Sequence, residues 1–140
     1  MKISSLLLFL FMPFPLLAAE PSACEKFLPS WNLSQYLELV GRDPETGRGY
    51  TGSVQTSRGK ETYLLTREIA GVKTNGEAWM EQCGPEIRVL VGRYYTRPIT
   101  EFSCATGADS NNALRVTCIT AQRGKWTGLE AWFDSPWPAP

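Results

Sequence analysis

One stretch organises the β fold that we predict for this chain of 140 residues, namely Cys83-Gly84-Pro85-Glu86-Ile87-Arg88-Val89-Leu90-Val91-Gly92-Arg93-Tyr94-Tyr95. Its residues alternate between two faces of a strand, with Ile87, Val89 and Val91 on one face and Arg88, Leu90 and Tyr94 on the other. Because Leu90 makes the second face apolar at mid-strand, we expect a central strand that is covered on both sides. Cys83 at its beginning is placed to tie this strand to another element.

Similar alternation recurs along the chain and predicts about seven short strands in all. The other six predicted strands cover residues 50–56, 61–69, 78–80, 99–106, 113–121 and 126–133. Turn-forming residues separate them, and Asn75-Gly76, in the turn predicted over residues 71–76, is a strong hairpin signal. Successive hairpins favour an antiparallel up-and-down meander. The sequence therefore predicts a mainly β domain, either a barrel-like sheet or a sandwich.

One short N-terminal helix is predicted before the sheet. Asn32 is a suitable N-cap, with Gln35 at the capping-box position. An apolar stripe follows at helical spacing, formed by Leu33, Tyr36, Leu37 and Val40. Gly41 supplies the left-handed stop. Residues 24–28, just before this helix, are expected to form a single helical turn.

The first 19 residues have the features of a signal peptide. Lys2 provides the positive start, an apolar run begins at Leu6, and Leu17-Ala18-Ala19 offers small residues for cleavage. The apolar run is short and interrupted by prolines, which disfavours a stable membrane span. The alternative is an uncleaved or interfacial anchor. We expect residues 1–19 to be removed, residues 20–140 to form one disulfide-bonded β-domain, and the product to be periplasmic or secreted.

The charge balance of the mature chain is close to neutral. Loss of Lys2 reduces the 14 basic residues to 13, against 14 acidic residues, so the net charge becomes −1. Nucleic-acid binders and proteins that bind anionic membrane surfaces usually carry a basic excess. The composition therefore disfavours both classes.

Four cysteines remain after export: Cys24, Cys83, Cys104 and Cys118. An even number in a small exported domain predicts two disulfides. Three pairings are possible, and we favour Cys104–Cys118 across a hairpin, which leaves Cys24–Cys83 to hold the N-terminal segment on the sheet. The alternative is a four-cysteine metal site, but the chain lacks both a Cys-x-x-Cys pair and any histidine. We expect no metal and no cofactor.

The sequence offers no catalytic signature. Without histidine, the usual Ser-His and Cys-His nucleophile pairs are excluded. A carboxylate pair could still cleave a glycosidic bond, and the candidates are Glu101, Asp109, Glu130 and Asp134. Acidic residues at alternate strand positions usually form a solvated face, so we predict a protein that is not an enzyme and assign no catalytic residue.

Recognition of a partner is the remaining interpretation. Arginine and tyrosine are enriched in protein–protein hot spots, and five such residues cluster near the end of the central strand: Arg88, Arg93, Tyr94, Tyr95 and Arg97. Alternatively, Tyr94 or Tyr95 packs in the core and the arginines lie along it with solvated head groups.

The sequence therefore supports two hypotheses about function. The first is an exported binding protein, of the inhibitor or immunity type, that recognises or inhibits another protein in the cell envelope. The second is a small-ligand carrier with a barrel interior lined by Tyr50, Tyr63, Trp79 and Phe102.

Overall fold

The computed structural model describes residues 24–108 and 113–134 of the chain. These residues form nine β-strands and no helix: β1 (Glu25–Phe27), β2 (Tyr36–Arg42), β3 (Gly49–Arg58), β4 (Tyr63–Ile69), β5 (Val72–Gln82), β6 (Arg88–Tyr94), β7 (Thr100–Ala108), β8 (Leu114–Gln122) and β9 (Lys125–Asp134).

Strands β2 to β9 form a closed barrel. Each pairs antiparallel with the next along the chain, and pairing of β2 with β9 closes the ring of eight. Strand β1 lies outside the ring and pairs with the end of β5. We call the end with the β2–β3, β4–β5, β6–β7 and β8–β9 turns the upper end, and the opposite end the lower end.

The predicted antiparallel up-and-down fold is confirmed, and the barrel is the correct one of the two architectures. The predicted helix over residues 32–40 is wrong, because residues 36–42 form β2. Leu37 and Leu39 are both buried, whereas Val40, on the supposed apolar stripe, is 42% exposed. Pairing with both β3 and β9 satisfies the backbone of β2 along its length, and a short isolated helix would be marginal.

The strand count of seven is also too low. The two additional strands are β2, predicted as a helix, and β1, where we expected a helical turn over residues 24–28. Strand β1 has only three residues, and its pairing with Met80, Glu81 and Gln82 is what makes it a strand. So short a segment carries no periodicity of its own.

The hairpin predicted at Asn75-Gly76 lies elsewhere. The β4–β5 turn is at Ala70 and Gly71, whose φ angles are 50° and 78°. Positive φ at both central residues is what a two-residue hairpin of the right twist requires. Asn75 and Gly76 lie inside β5 instead.

The central strand of the prediction is β6, and it is covered on one side only. Leu90 and Tyr94 are buried in the barrel. Val89 and Val91 lie on the outside and are half-buried, and Ile87 is exposed. The prediction of two covered faces is wrong because a barrel strand has one interior face and one exterior face.

Large side chains fill the barrel interior. The buried apolar residues include Leu37, Leu39, Val54, Tyr63, Leu65, Met80, Leu90, Tyr94, Phe102, Val116 and Trp132. The ring of Phe102 lies 5.0 Å from that of Tyr94 and 5.3 Å from that of Trp132, measured between ring centroids. Such tilted and edge-on contacts are favourable for aromatic rings.

Three interior glycines allow aromatic rings to pack flat against the barrel wall. In each case the glycine and the ring are directly opposite on neighbouring strands: Gly41 and Tyr50, Gly76 and Tyr94, Gly92 and Phe102. A Cβ atom on any of these glycines would overlap the opposing ring. These pairs therefore require glycine for space and not for an unusual backbone angle.

The segment between β1 and β2 covers the lower end. Leu33 is buried beneath the barrel. Arg58 donates a hydrogen bond of 2.7 Å to the Pro29 carbonyl, and the Tyr63 hydroxyl donates one of 2.7 Å to the Trp31 carbonyl. These bonds hold the irregular segment against the barrel through its carbonyl groups.

Both predicted disulfides are confirmed. Cys24–Cys83 attaches the start of β1 to the end of β5, and Cys104–Cys118 joins directly paired residues of β7 and β8 inside the barrel. Two disulfides are compatible with an oxidising extracellular or periplasmic compartment. The predicted signal peptide, residues 1–19, lies outside the described residues and stays a prediction.

Candidate partner-binding site at the upper rim

The five residues predicted to bind a partner do not form one cluster. Tyr94 is 1% exposed and points into the barrel. Arg88 is exposed at the first position of β6, at the lower end. Arg93, Tyr95 and Arg97 lie at the upper end, where β6 runs into the β6–β7 turn. The structure thus brings three of the five together.

Arg93 is held over the outer surface of the barrel. Its Nε lies 3.5 Å from Oε1 of Glu77, and its guanidinium lies 5.2 Å from the ring centroid of Trp79. Tyr95 is 54% exposed beside this pair. Partial desolvation, the Glu77 charge and a hydrogen bond to that carboxylate raise the pKa of the Tyr95 phenol. Glu77 therefore positions both side chains.

Arg93 belongs to a row of directly paired residues across the outside of five strands. The row reads Glu77, Arg93, Glu101, Ala121 and Trp126 from β5 to β9. Directly opposite residues on one face of a sheet are close enough for their side chains to interact. Trp126 ends the row, 55% exposed, and its Nε1 donates a 2.9 Å hydrogen bond to the Gly128 carbonyl.

A cavity of about 310 Å³ opens above this row, between the β6–β7 and β8–β9 turns. Its lining consists of Arg93, Pro98, Ile99, Glu101 and Arg123. We call this cavity, together with the neighbouring Tyr95, Arg97 and Trp126, the rim site. Its arginines come from two turns that the up-and-down topology places at the same end.

The β6–β7 turn that forms one wall of the rim site is held internally. Thr96 Oγ1 donates a 2.6 Å hydrogen bond to the Pro98 carbonyl. Gln122 Nε2 donates one of 2.8 Å to Thr100 Oγ1, and the Tyr95 amide donates one of 2.9 Å to the Asn75 carbonyl. These hydrogen bonds within the chain preorganise the wall, which lowers the ordering cost of binding.

Exposed cations lie in the rim site and beside it. Within residues 24–108 and 113–134, no ion-pair partner lies near Arg97, Arg123 or Lys125. All three are exposed at the upper end. Guanidinium groups in this state remain free to bind carboxylates in a bidentate manner.

Sequence reasoning did not find Arg123, Ile99 or Trp126 as site residues. Arg123 is 30 residues after Arg93 in the numbering, and only the pairing of β6 with β7 and of β7 with β8 brings the two together. The predicted topology could have placed Arg123 near Arg93, because alternate turns of an up-and-down meander lie at the same end of the sheet.

The candidate carboxylates are dispersed. Glu101 is exposed in the rim row, and Asp134 accepts a 3.3 Å hydrogen bond from the Leu114 amide at the lower end. Asp109 lies outside the described residues. Glu130, predicted to lie on a solvated face, is 2% exposed and points into the barrel, so that prediction is wrong.

The carboxylate of Glu130 accepts the hydrogen bonds of a cluster of buried polar side chains near the upper end of the barrel. Arg67 forms an ion pair with it, Tyr50 donates a 3.0 Å hydrogen bond to it, and Trp132 Nε1 donates one of 3.2 Å. Burial, followed by the Glu130 charge, raises the pKa of Tyr50 to about 12 and that of Tyr94 well above its ordinary value. The carboxylate is surrounded by donors, as a buried charge requires.

The aromatic residues expected to line a carrier cavity are divided. Tyr63 and Phe102 are packed in the core, and Tyr50 is half-buried against Gly41. Trp79 lies on the outside, where its Nε1 donates a 3.0 Å hydrogen bond to Glu81 and Lys26 lies 4.4 Å from its ring centroid. Trp79 is therefore not an interior residue.

One group of metal-ligand types occurs among the described residues, namely Cys24, Glu81 and Cys83, with ligand atoms within 4.8 Å of one another. The two sulfur atoms are bonded to each other, and a disulfide sulfur is not a thiolate ligand.

In the described ranges, no helix is long and apolar enough to cross a membrane.

Comparison with known proteins gives no family for this chain. No protein-family model, curated protein or solved structure matches it.

Proposed function

We propose that this chain is an exported, non-enzymatic binding protein whose rim site recognises or inhibits another protein in the cell envelope. The observation that carries the proposal is the cavity between Arg93 and Arg123, bordered by exposed Tyr95 and Trp126. Arginine, tyrosine and tryptophan are the residue types that dominate binding hot spots.

The chemistry of the rim site favours a partner surface that presents carboxylates. Among the described residues, Arg97 and Arg123 of the rim site and the neighbouring Lys125 have no ion-pair partner, whereas the acidic groups Glu77 and Glu101 lie beside Arg93. The rim site itself holds three arginines, Arg93, Arg97 and Arg123, against one acidic residue, Glu101, whereas the whole sequence has a net charge of zero. Local fields of this kind steer association and fix orientation.

The packed barrel interior supports this function over the carrier alternative. A carrier needs a cavity with aromatic walls and an open mouth. Here the ring of Phe102 packs against both Tyr94 and Trp132 in the interior, and Arg67 of the Arg67–Glu130 pair lies over the Tyr94 ring. Glu130, a candidate catalytic acid, already has donors around it, which supports a structural role.

The test is capture of a partner from an envelope fraction by the oxidised protein. We expect wild type to retain one specific protein, and the double variants Arg93→Glu/Tyr95→Ala and Arg97→Glu/Arg123→Glu to bind it at least tenfold more weakly. Arg88→Glu is the matched control, because it reverses the charge of an exposed arginine at the other end of β6.

Binding should also weaken as ionic strength rises, since exposed charges are screened. Folding of each variant is checked by its circular dichroism spectrum and thermal midpoint. If wild type retains no specific protein, or if both rim variants bind as well as Arg88→Glu does, the proposal is wrong.

A further inference from the structure

The outer surface of β9 carries apolar residues. Glu130 and Trp132 lie inside the barrel, so Leu129 and Ala131 lie on the outside. A strand with one solvated face normally carries its polar residues outside and its apolar residues inside. Strand β9 instead buries a carboxylate and leaves Leu129 40% exposed.

The neighbouring strands extend this apolar surface. Ile119 of β8 is directly opposite Leu129 and is 55% exposed, and Val40 of β2, opposite Ala131, is 42% exposed. Thr117 is opposite Ala131 on the other side. We call Val40, Thr117, Ile119, Leu129 and Ala131 the β9 face. The β9 face is thus an uncharged patch with three exposed aliphatic side chains, which makes it a candidate interaction surface.

The β9 face contains both protrusions and hollows. A shallow cavity of about 250 Å³ lies beside Val40, Leu129 and Ala131. Another of about 310 Å³ lies on the far side of Ile119, over Ser103 and Ala121. Ile119 and Leu129 thus stand between two depressions, and an interface between identical copies requires a surface that carries both shapes.

Charged residues flank the β9 face in an alternating arrangement. Toward the upper end, Arg42 lies on the β2 side and Glu101 on the β7 side. Toward the lower end, Glu38 lies on the β2 side and Arg115 on the β8 side. Each end of the face therefore has a cation on one flank and an anion on the other.

We propose that the β9 face is the interface of a symmetric homodimer, in which a second copy of this chain covers it. The two-fold axis runs parallel to β8 and β9, so β9 of one copy faces β8 of the other. This axis exchanges the flanks while keeping the upper ends together. Arg42 then approaches Glu101 of the second copy, and Glu38 approaches Arg115 of the second copy.

The pattern of charge selects a second copy over other occupants. An interface between identical surfaces needs an uncharged centre, because residues near the axis meet themselves or their own neighbours. The flanks carry both signs, which disfavours an anionic lipid surface or a partner of one charge sign. Glu101 also lines the rim site, whereas the residues of the β9 face and the other flanking charges, Arg42, Glu38 and Arg115, lie outside it.

The mass of the oxidised protein in solution tests this inference, measured by light scattering and sedimentation over a range of concentrations. We expect a concentration-dependent dimer for wild type. Ile119→Glu and Leu129→Glu should each raise its dissociation constant at least tenfold, because each copy would bury a charge. Val72→Glu is the matched control, since Val72 is 67% exposed at the start of β5, away from the β9 face.

Charge reversal tests the orientation. Arg42→Glu and Glu101→Arg should each weaken the dimer, and their combination should restore it. A monomeric wild type, or a dimer unaffected by Ile119→Glu and Leu129→Glu, would overturn the proposal. A double charge reversal as weak as the single ones would exclude the proposed axis. Wild type that binds phosphatidylglycerol vesicles and stays monomeric would assign the face to lipid instead.

Discussion

Arg67 and Glu130 form an ion pair inside the barrel, in which the side chain of Glu130 is 0% exposed and that of Arg67 is 20% exposed. The residues are 63 positions apart in the chain and lie on β4 and β9, which are not neighbours in the sheet. The pair therefore spans the interior of the barrel and does not follow its wall.

Loss of either partner should destabilise the protein strongly. Arg67→Met leaves a buried carboxylate without its cation, and Glu130→Leu leaves a mostly buried guanidinium. Each should lower the free energy of unfolding by about 3–5 kcal/mol, as for other broken buried pairs. The double variant should recover much of this loss. Urea unfolding of all three variants measures their free energies of unfolding. Single variants whose free energy of unfolding lies within about 1 kcal/mol of that of wild type, the range of ordinary substitutions, would contradict the prediction.

Gly92 should be intolerant of a methyl group. A Cβ there would overlap the ring of Phe102 and the Glu77 carbonyl, so Gly92→Ala should cost about 1–3 kcal/mol by overpacking. Gly107→Ala is the control, because nothing lies within 4 Å of its added Cβ. Thermal midpoints of the two variants provide the comparison. Equal midpoints would show that the Gly92–Phe102 contact is not tight.

Stability should decline at alkaline pH. Burial and the charge of Glu130 raise the pKa of Tyr50 from 10.0 to about 12 and that of Tyr94 well above its ordinary value. The unfolded chain releases these protons near pH 10, whereas the folded protein retains them, so rising pH favours unfolding. The stabilisation is complete below about pH 10 and is lost as the pH rises through the folded values. Urea midpoints at pH 9 and pH 11 check this, with Tyr50→Phe expected to show a smaller decline. A midpoint that does not change between these pH values would refute it.

Removal of a disulfide should cost about 2–4 kcal/mol of unfolding free energy. Cys104→Ala/Cys118→Ala removes the buried bridge, and Cys24→Ala/Cys83→Ala removes the one that attaches β1. Chemical unfolding under non-reducing conditions measures each loss. Mass spectrometry after thiol alkylation is the control, and four free thiols in exported protein would contradict the prediction.

Alternation of side chains was sufficient to predict β3, β4 and β6 to β9, because barrel strands have one interior and one exterior face. It was ambiguous at β2, where Leu33 and Leu37 satisfy helical spacing, while Leu37 and Leu39 satisfy strand spacing. Only pairing with β3 and β9 resolves that choice. Local pattern cannot supply such long-range pairing.

The candidate site was predictable in part for the same reason. Tyr94 shares the face of Leu90, so its burial follows once the sheet is known to close. The contribution of Arg123 depends on which turns share an end of the barrel. The burial of Glu130 depends on Arg67, a partner that no short window contains.

Strand β1 has a neighbouring strand on one side only, whereas each of the eight strands of the ring has a neighbour on each side. The Cys24–Cys83 bond holds β1 against residues 80–82 of β5. If that bond were reduced and β1 departed, bare amide and carbonyl groups of β5 would offer a template for sheet growth between molecules. The Cys24–Cys83 disulfide would then prevent aggregation as well as stabilise the fold.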